Sequence, residues 1–242
     1  MGPNRKSTVA VARRKLALVT GAARGIGRAT AVALARRGFD VVVTSTRRGG
    51  TRAVAADIRA EGGTPYEVTH DVASRRDADR LARLIARRGA LDVIVHNAAV
   101  VVRRNLSAMT DAEIDRVLDV NLRGPFYLTR RLLPPMLRAR QGRVIFVSSI
   151  SATLGSPQLT AYCASKWGLD GFMRALAEET RGSGLLVASV LPGSVDTEML
   201  RGSPFRPEMT AAEVASVISY MACEAPLAMH GARVEVFGAA RR

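Results

Sequence analysis

Residues 16–37 read LALVTGAARGIGRATAVALARR, and three local patterns succeed one another within them. Leu16 to Thr20 is a short apolar run of the length expected of a buried strand. It stops at Gly21, and glycine returns at Gly25 and Gly27. From Arg28 to Arg37, Ala29, Val32, Ala33 and Ala35 recur in a helix-like pattern. Strand, glycine-rich turn and helix in this order bring backbone amides and a helix N-terminus to one place. Missing side chains let a pyrophosphate approach there.

The alternation continues outward. Apolar runs at Val41–Val43, Tyr66–Val68, Leu91–Val95, Val144–Val147, Leu185–Leu191 and Val234–Val236 read as strands. Helical stretches over Ala53–Ala60, Asp77–Arg87, Asp111–Arg138 and Tyr162–Thr180 lie between them, and another helix starts at Thr210. This pattern predicts an α/β doubly wound Rossmann fold, with a central parallel sheet of about seven strands covered by helices on both faces. No repeat, linker or low-complexity tract interrupts it, so residues 15–242 are expected to form one domain behind a basic tail, residues 1–14. Ligands of such sheets bind beyond the carboxyl ends of the strands, where the connection order reverses.

Composition narrows the class. No apolar run approaches the roughly 20 residues that cross a bilayer, so no membrane association is expected. The first 15 residues carry Arg5, Lys6, Arg13, Arg14 and Lys15 without an apolar stretch or cleavage site, so a secretory signal is not expected either. Cys163 and Cys223 have no close Cys or His at ligand spacing, which argues against a zinc site or disulfide framework and makes a reducing cytoplasm the expected location. The net charge of +15 admits a nucleic acid, an acidic protein partner or simply an arginine-rich composition. Its basic residues fall in scattered pairs such as Arg36-Arg37 and Arg87-Arg88, with no recognition motif, so nucleic acid is not the expected partner.

The first turn reads T-G-x-x-x-G-x-G from Thr20. Further motifs follow in order: His96-Asn97-Ala98-Ala99 after a strand, Asn121 in the next helix, Ser149 at the end of another strand, Tyr162-x-x-x-Lys166, and Pro192-Gly193 with Thr197. Taken together these resemble the short-chain dehydrogenase/reductase family from Leu16 to Gly238. The resemblance implies an oxidoreductase that moves a hydride between a nicotinamide cofactor and a carbonyl or alcohol, without a metal. It assigns Asn121, Ser149, Tyr162 and Lys166 to catalysis. To the cofactor it assigns Gly21, Arg24, Gly25, Ile26, Gly27, Ser45, Thr46, Arg47, Asp71, Val72, Asn97, Ala98, Pro192, Gly193, Val195 and Thr197, joined by Tyr162 and Lys166.

The chemistry suits those residue types. Four positions apart on a helix, Tyr162 and Lys166 share a face. A tyrosine with an ordinary pKa of about 10 holds its proton tightly near neutrality, and a nearby ammonium would favour the phenolate. The family resemblance adds that Lys166 bonds the nicotinamide ribose, that Ser149 bonds the substrate oxygen, and that Asn121 holds a water linking Lys166 to solvent. For cofactor choice, Ser45 stands where family members that prefer NAD carry an acid, and Asp40 falls before the strand. With Arg24 and Arg47 near, NADP(H) is the expected cofactor.

Some residues depart from the pattern or stand outside it. Ala99 replaces the last glycine of the family's N-N-A-G, at a place of close backbone approach. His96 is expected to pack rather than to catalyse, and Cys163 to point away from the catalytic face. Only the residues from Glu198 to Met209 separate Thr197 from the helix starting at Thr210, which suggests an open cleft. Within the family the pattern is similar to 3-oxoacyl-[acyl carrier protein] reductases, whose substrate rides on an acidic carrier protein. Arg140 matches one of their carrier-docking positions beside the cleft, and Arg181 lies near another. The same resemblance implies a homo-oligomer, tetramer or dimer, paired through the two long helices. Three alternatives stand beside this reading: a reductase of a free small-molecule ketone, a catalytically idle NADP(H)-binding regulator, and a nucleic-acid binder supported by charge alone.

Overall fold

Every apolar run named above is a strand in the computed structural model, which describes residues 13–238. The first half of the sheet comprises β1 (Lys15–Val19), β2 (Phe39–Ser45), β3 (Pro65–Thr69) and β4 (Val93–His96). The second half holds β5 (Gly142–Val147), β6 (Leu185–Pro192) and β9 (Arg233–Val236). These seven lie in the order β3-β2-β1-β4-β5-β6-β9, every neighbouring pair parallel. A separate two-stranded pair, β7 (Val195–Asp196) with β8 (Met209–Thr210), follows β6, its strands too short to stand out as apolar runs in the sequence. The chain steps outward from β1 to β3 and returns to place β4 beside β1, so the crevice opens beyond the carboxyl ends of β1 and β4.

Helices α1 (Gly25–Arg36), α2 (Arg52–Ala60) and α7 (Ala211–Cys223) cover one face. The other face carries α3 (Arg75–Ala86), α5 (Gly124–Ala139) and α6 (Thr160–Glu179). Alternation along β1 makes the division visible: Ala17 and Val19 join the first apolar layer, Leu16 and Leu18 the second.

Two expectations change. The predicted helix over Asp111–Arg138 is not continuous: α4 (Asp111–Leu118) passes through a π-helical turn at Asp119–Arg123 before α5 begins. Asn121 sits inside that wider turn, with its amide drawn to the main chain of Val100, and such turns occur often at functional sites. Asp40 lies inside β2 rather than before it, at the amino end, paired with Arg14 at 3.1 Å. Most of the proposed basic tail, residues 1–12, lies outside the described residues. Arg13 and Arg14 are tied to the sheet through Asp92 and Asp40.

Candidate active site

The glycine-rich turn connects β1 to α1 at the crevice. Gly21 and Gly25 have φ of +64° and +55°, a region L-residues rarely enter. At Gly27 the reason for glycine is space: a Cβ would run into Asn97 Nδ2 and the Gly21 carbonyl oxygen. A side chain on Gly21 would press on Ala98 Cα at 2.8 Å. Arg24 occupies the N-cap of α1 and makes no side-chain cap bond, so the first amides of this helix have no side chain capping them. A cradle from which Cβ atoms are excluded, set at an uncapped helix N-terminus, fits a dinucleotide pyrophosphate.

The segment after β4 holds this turn in place. Asn97 Nδ2 donates to the carbonyls of Thr20 (2.9 Å) and Gly21 (3.1 Å), and Thr20 Oγ1 accepts from the amides of Asn97 and Ala98. Asn97 therefore braces the turn from below. Thr20 is thus a positioning residue; in the sequence it is only a hydroxyl residue at a strand end, and its burial and partners emerge in the fold. Ala99 is absent from the short set of non-glycine residues with positive φ, so its methyl causes no backbone strain. Thr197 closes on the turn from the other side, its methyl 3.2 Å from where a Gly25 Cβ would stand.

At the end of β2, Ser45 Oγ donates to the Arg47 carbonyl at 2.8 Å, while Thr46 and Arg47 are exposed. Asp71, after β3, accepts from the Ala73 amide, and Ser74 rather than Asp71 caps α3. Val72 is buried beneath the start of α5, where its carbonyl leaves no room for a side chain on Gly124. Arg24 pairs with Glu198 at 2.8 Å across the crevice, both side chains largely exposed.

The four residues assigned to catalysis come together beyond β4 and β5. Ser149 follows β5, caps a short 3₁₀ turn over Ile150–Ala152 and accepts from the Ser151 amide. Tyr162 and Lys166 lie one turn apart on α6, both buried. Burial pushes the Tyr162 phenol above its ordinary value, while a hydrogen bond with Ser149 and the charge of Arg103 pull it back. Lys166 stands beside the same ring. Its ammonium donates to the Val147 carbonyl at 2.9 Å and stands 5.7 Å from the Tyr162 ring centroid. Burial lowers its own pKa to about 8.

Asn121 is 1% exposed. Its Oδ1 accepts from the Val100 amide, and Nδ2 donates to the Val100 carbonyl and to Ser165 Oγ. Ser165 Oγ donates in turn to the Tyr162 carbonyl at 2.7 Å. Both amide protons of Asn121 are thus committed to fixing the loop after β4 against α6.

His96 packs as expected, stacked on Phe146 and bonded to Thr129 Oγ1 at 2.8 Å, with its pKa pushed down to about 3 by burial. Cys163 turns toward the Leu154 carbonyl. Pro192 ends β6, the amide of Gly193 just beyond it donates to the Val236 carbonyl, and Val195 is buried in β7. Among the described residues no cluster of three or more His, Cys, Asp or Glu could hold a metal ion. No helix among them is long and apolar enough to cross a membrane.

Arg140 and Arg181 are not beside the cleft of their own chain. They precede β5 and β6 and line a pocket at the amino edge of the sheet. The length of a six-residue strand, roughly 20 Å, separates that edge from Ser149. Arg181 is neutralised by Glu178, and Arg140 donates to the Gly182 carbonyl.

A glycine-rich turn at the switch point of a parallel sheet, facing a buried tyrosine–lysine pair, is the arrangement of a dinucleotide-binding α/β protein. Residues 15–205 match the short chain dehydrogenase family, and the chain belongs to that family of oxidoreductases, which use a nicotinamide dinucleotide. It is 38% identical over 188 residues to the 3-oxoacyl-[acyl-carrier-protein] reductase FabG of Escherichia coli, covering 77% of this chain and 76% of that one. A 3-oxoacyl (acyl-carrier-protein) reductase from Agrobacterium tumefaciens, solved with NADP bound, superposes with a TM-score of 0.87 at 29% identity, over 93% of this chain and 94% of its own. The corresponding Brucella melitensis reductase, in complex with NAD, gives 0.86 at 28% identity, over 92% and 95%.

Proposed function

We propose that this chain reduces a carbonyl with NADP(H), and that its natural substrate is a 3-oxoacyl thioester. The observation that carries the reading is the buried Tyr162, hydrogen-bonded with Ser149 and backed by Lys166, at the open end of β4 and β5. The bound nicotinamide supplies the hydride. Ser149 holds the carbonyl oxygen, and Tyr162 gives its phenolic proton as that oxygen becomes an alkoxide. Lys166, bonded to the Val147 carbonyl in this structure, would bond the nicotinamide ribose. Asn121 fixes the Val100 loop against α6, and because both of its amide protons are used, a proton-relay water would donate to an Asn121 oxygen instead of accepting from its side chain.

The turn residues Gly21, Gly25, Ile26 and Gly27 would hold the pyrophosphate, and Asp71 with Val72 the adenine. Asn97 and Ala98 would line the passage to the nicotinamide, whose carboxamide end would meet Pro192, Gly193, Val195 and Thr197. NADP(H) is preferred because Ser45, Thr46, Arg47 and Arg24 offer a hydroxyl-and-guanidinium setting, and β2 carries its acid, Asp40, at the opposite end. Similar structures hold NADP or NAD, so selection rests on this chain's own charges.

The 3-oxoacyl substrate rests on the relatives' names and on the short, helix-free segment between β7 and β8. Arg140 lies at the amino edge of the sheet, away from the cleft of its own chain. Exposed Phe126 and Trp167 on α5 and α6 support a homo-oligomer paired through those helices, in the cytoplasm. NADPH consumption across a panel of 3-oxoacyl thioesters, simple ketones and sugars tests the reading. Thioesters should lead the panel, and consumption with none of its members would leave the idle-regulator alternative.

A further inference from the structure

We infer that Arg103 is a specificity residue of this site, binding an acyl oxygen that flanks the reacting carbonyl. The inference rests on the reductase reading above and adds a recognition group to it.

Arg103 lies in the irregular stretch after β4. The residues just before it, Val100 to Val102, pack on the small apolar cluster that contains Tyr162, Leu159 and Ala161. The residue just after it is fixed too: the Arg104 amide donates to the Gln158 carbonyl at 2.9 Å, four positions before Tyr162. The half-buried side chain of Arg103 then reaches toward the segment beyond Thr197, where Nη2 donates to the Met199 carbonyl at 2.6 Å. Its charge is felt at the Tyr162 phenol. A guanidinium thus spans the substrate end of the crevice, held at both sides.

Its bonding is incomplete. An arginine has five N–H donors, and the bond to Met199 uses one. Among the described residues Arg103 has no carboxylate partner, whereas its neighbour Arg104 is paired with Glu113 at 3.4 Å. A half-buried guanidinium with free donors binds a carboxylate or an acyl carbonyl better than it binds an alkyl group. Two sources share that chemistry: a free 3-oxo acid, with a carboxylate, and a 3-oxo ester or thioester, with a neutral carbonyl.

The experiment compares 3-oxobutanoate, ethyl 3-oxobutanoate and pentan-2-one as substrates for the wild type, Arg103→Met and Arg103→Lys, with NADPH. The wild type should favour the acyl substrates over the plain ketone. Arg103→Met should reduce that ratio of kcat/KM by about 10- to 100-fold, the worth of a hydrogen bond to a charged group, chiefly through KM. Arg103→Lys should retain part of the preference. Loss of preference for 3-oxobutanoate alone identifies a carboxylate, and loss for both identifies the acyl carbonyl; either supports the inference. A wild type that shows no preference, or variants that slow all three substrates alike, overturns it. If the wild type consumes NADPH with none of the three and with no carbonyl of the wider panel, it is the reductase reading that falls.

Discussion

Beyond β1 and β2 the arginines assigned to the 2′-phosphate, Arg24 and Arg47, stand in solvent, whereas beyond β4 and β5 the groups assigned to proton transfer are enclosed. The Arg24 side chain is 70% exposed, while Lys166 is 2% exposed. The two halves of one crevice therefore obey different electrostatics. In the first, charges are screened by water and salt, and individual pairs are worth little. In the second, burial moves pKa values and each missing partner is costly. This contrast orders the expected effects: large and pH-dependent in the enclosed half, small and salt-dependent in the open one.

The largest effect belongs to Tyr162. Tyr162→Phe removes the one proton that Ser149 and Arg103 help to release, and should lower kcat by about 1,000-fold. NADPH affinity, measured by fluorescence titration, should barely change because the phenol contributes few cofactor contacts. Residual turnover near the wild-type rate would detach Tyr162 from the chemistry.

The enclosed half should also fail in acid. His96 titrates near 6.5 when unfolded and at about 3 when folded, so the unfolded chain binds the extra proton. Its contribution is fully present above pH 6.5 and is lost as pH falls from there toward 3, at up to about 1.4 kcal/mol per unit. Burial lowers His70 too, which adds to the same trend. Urea denaturation should show a loss of about 2 kcal/mol or more between pH 7.5 and 5. A flat profile, or an unchanged one in His96→Gln, would mean the two halves do not differ in this way.

Ser45→Asp moves to the open half. A carboxylate there repels a 2′-phosphate but can bond a free ribose hydroxyl, so the ratio of NADPH to NADH affinity should fall by about tenfold, or 1.4 kcal/mol. A wild type that already prefers NADH would overturn the arginine argument at its root.

What could be read from the sequence was local. Glycine at position 27 follows from a steric rule acting over a few residues, and Tyr162 with Lys166 from the pitch of a helix. The strands were legible because burial on both faces makes them continuous apolar runs. What stayed hidden was long-range. The π turn at Asn121 depends on Val100, the phenol's surroundings on Arg103, and the direction of the Lys166 ammonium on a carbonyl in β5. Arg140 was misplaced for a topological reason: residues that precede a parallel strand lie at the edge opposite those that follow it.

The smallest effect tests the pairing that no sequence pattern showed, Arg24 with Glu198. If Arg24 receives the 2′-phosphate, Glu198 competes for the same guanidinium, and Glu198→Gln should tighten NADPH binding. Both side chains are largely exposed, so the gain should be limited to a surface pair's worth, about 2- to 5-fold. NADH lacks the phosphate, and its affinity should hold constant. Raising salt from low ionic strength toward 1 M, where the screening length falls to about 3 Å, should erase the difference between wild type and variant. An equal gain for both cofactors would indicate relief of the segment after Thr197 instead of release of Arg24. No gain at low salt would place the phosphate on Arg47 and Ser45 alone.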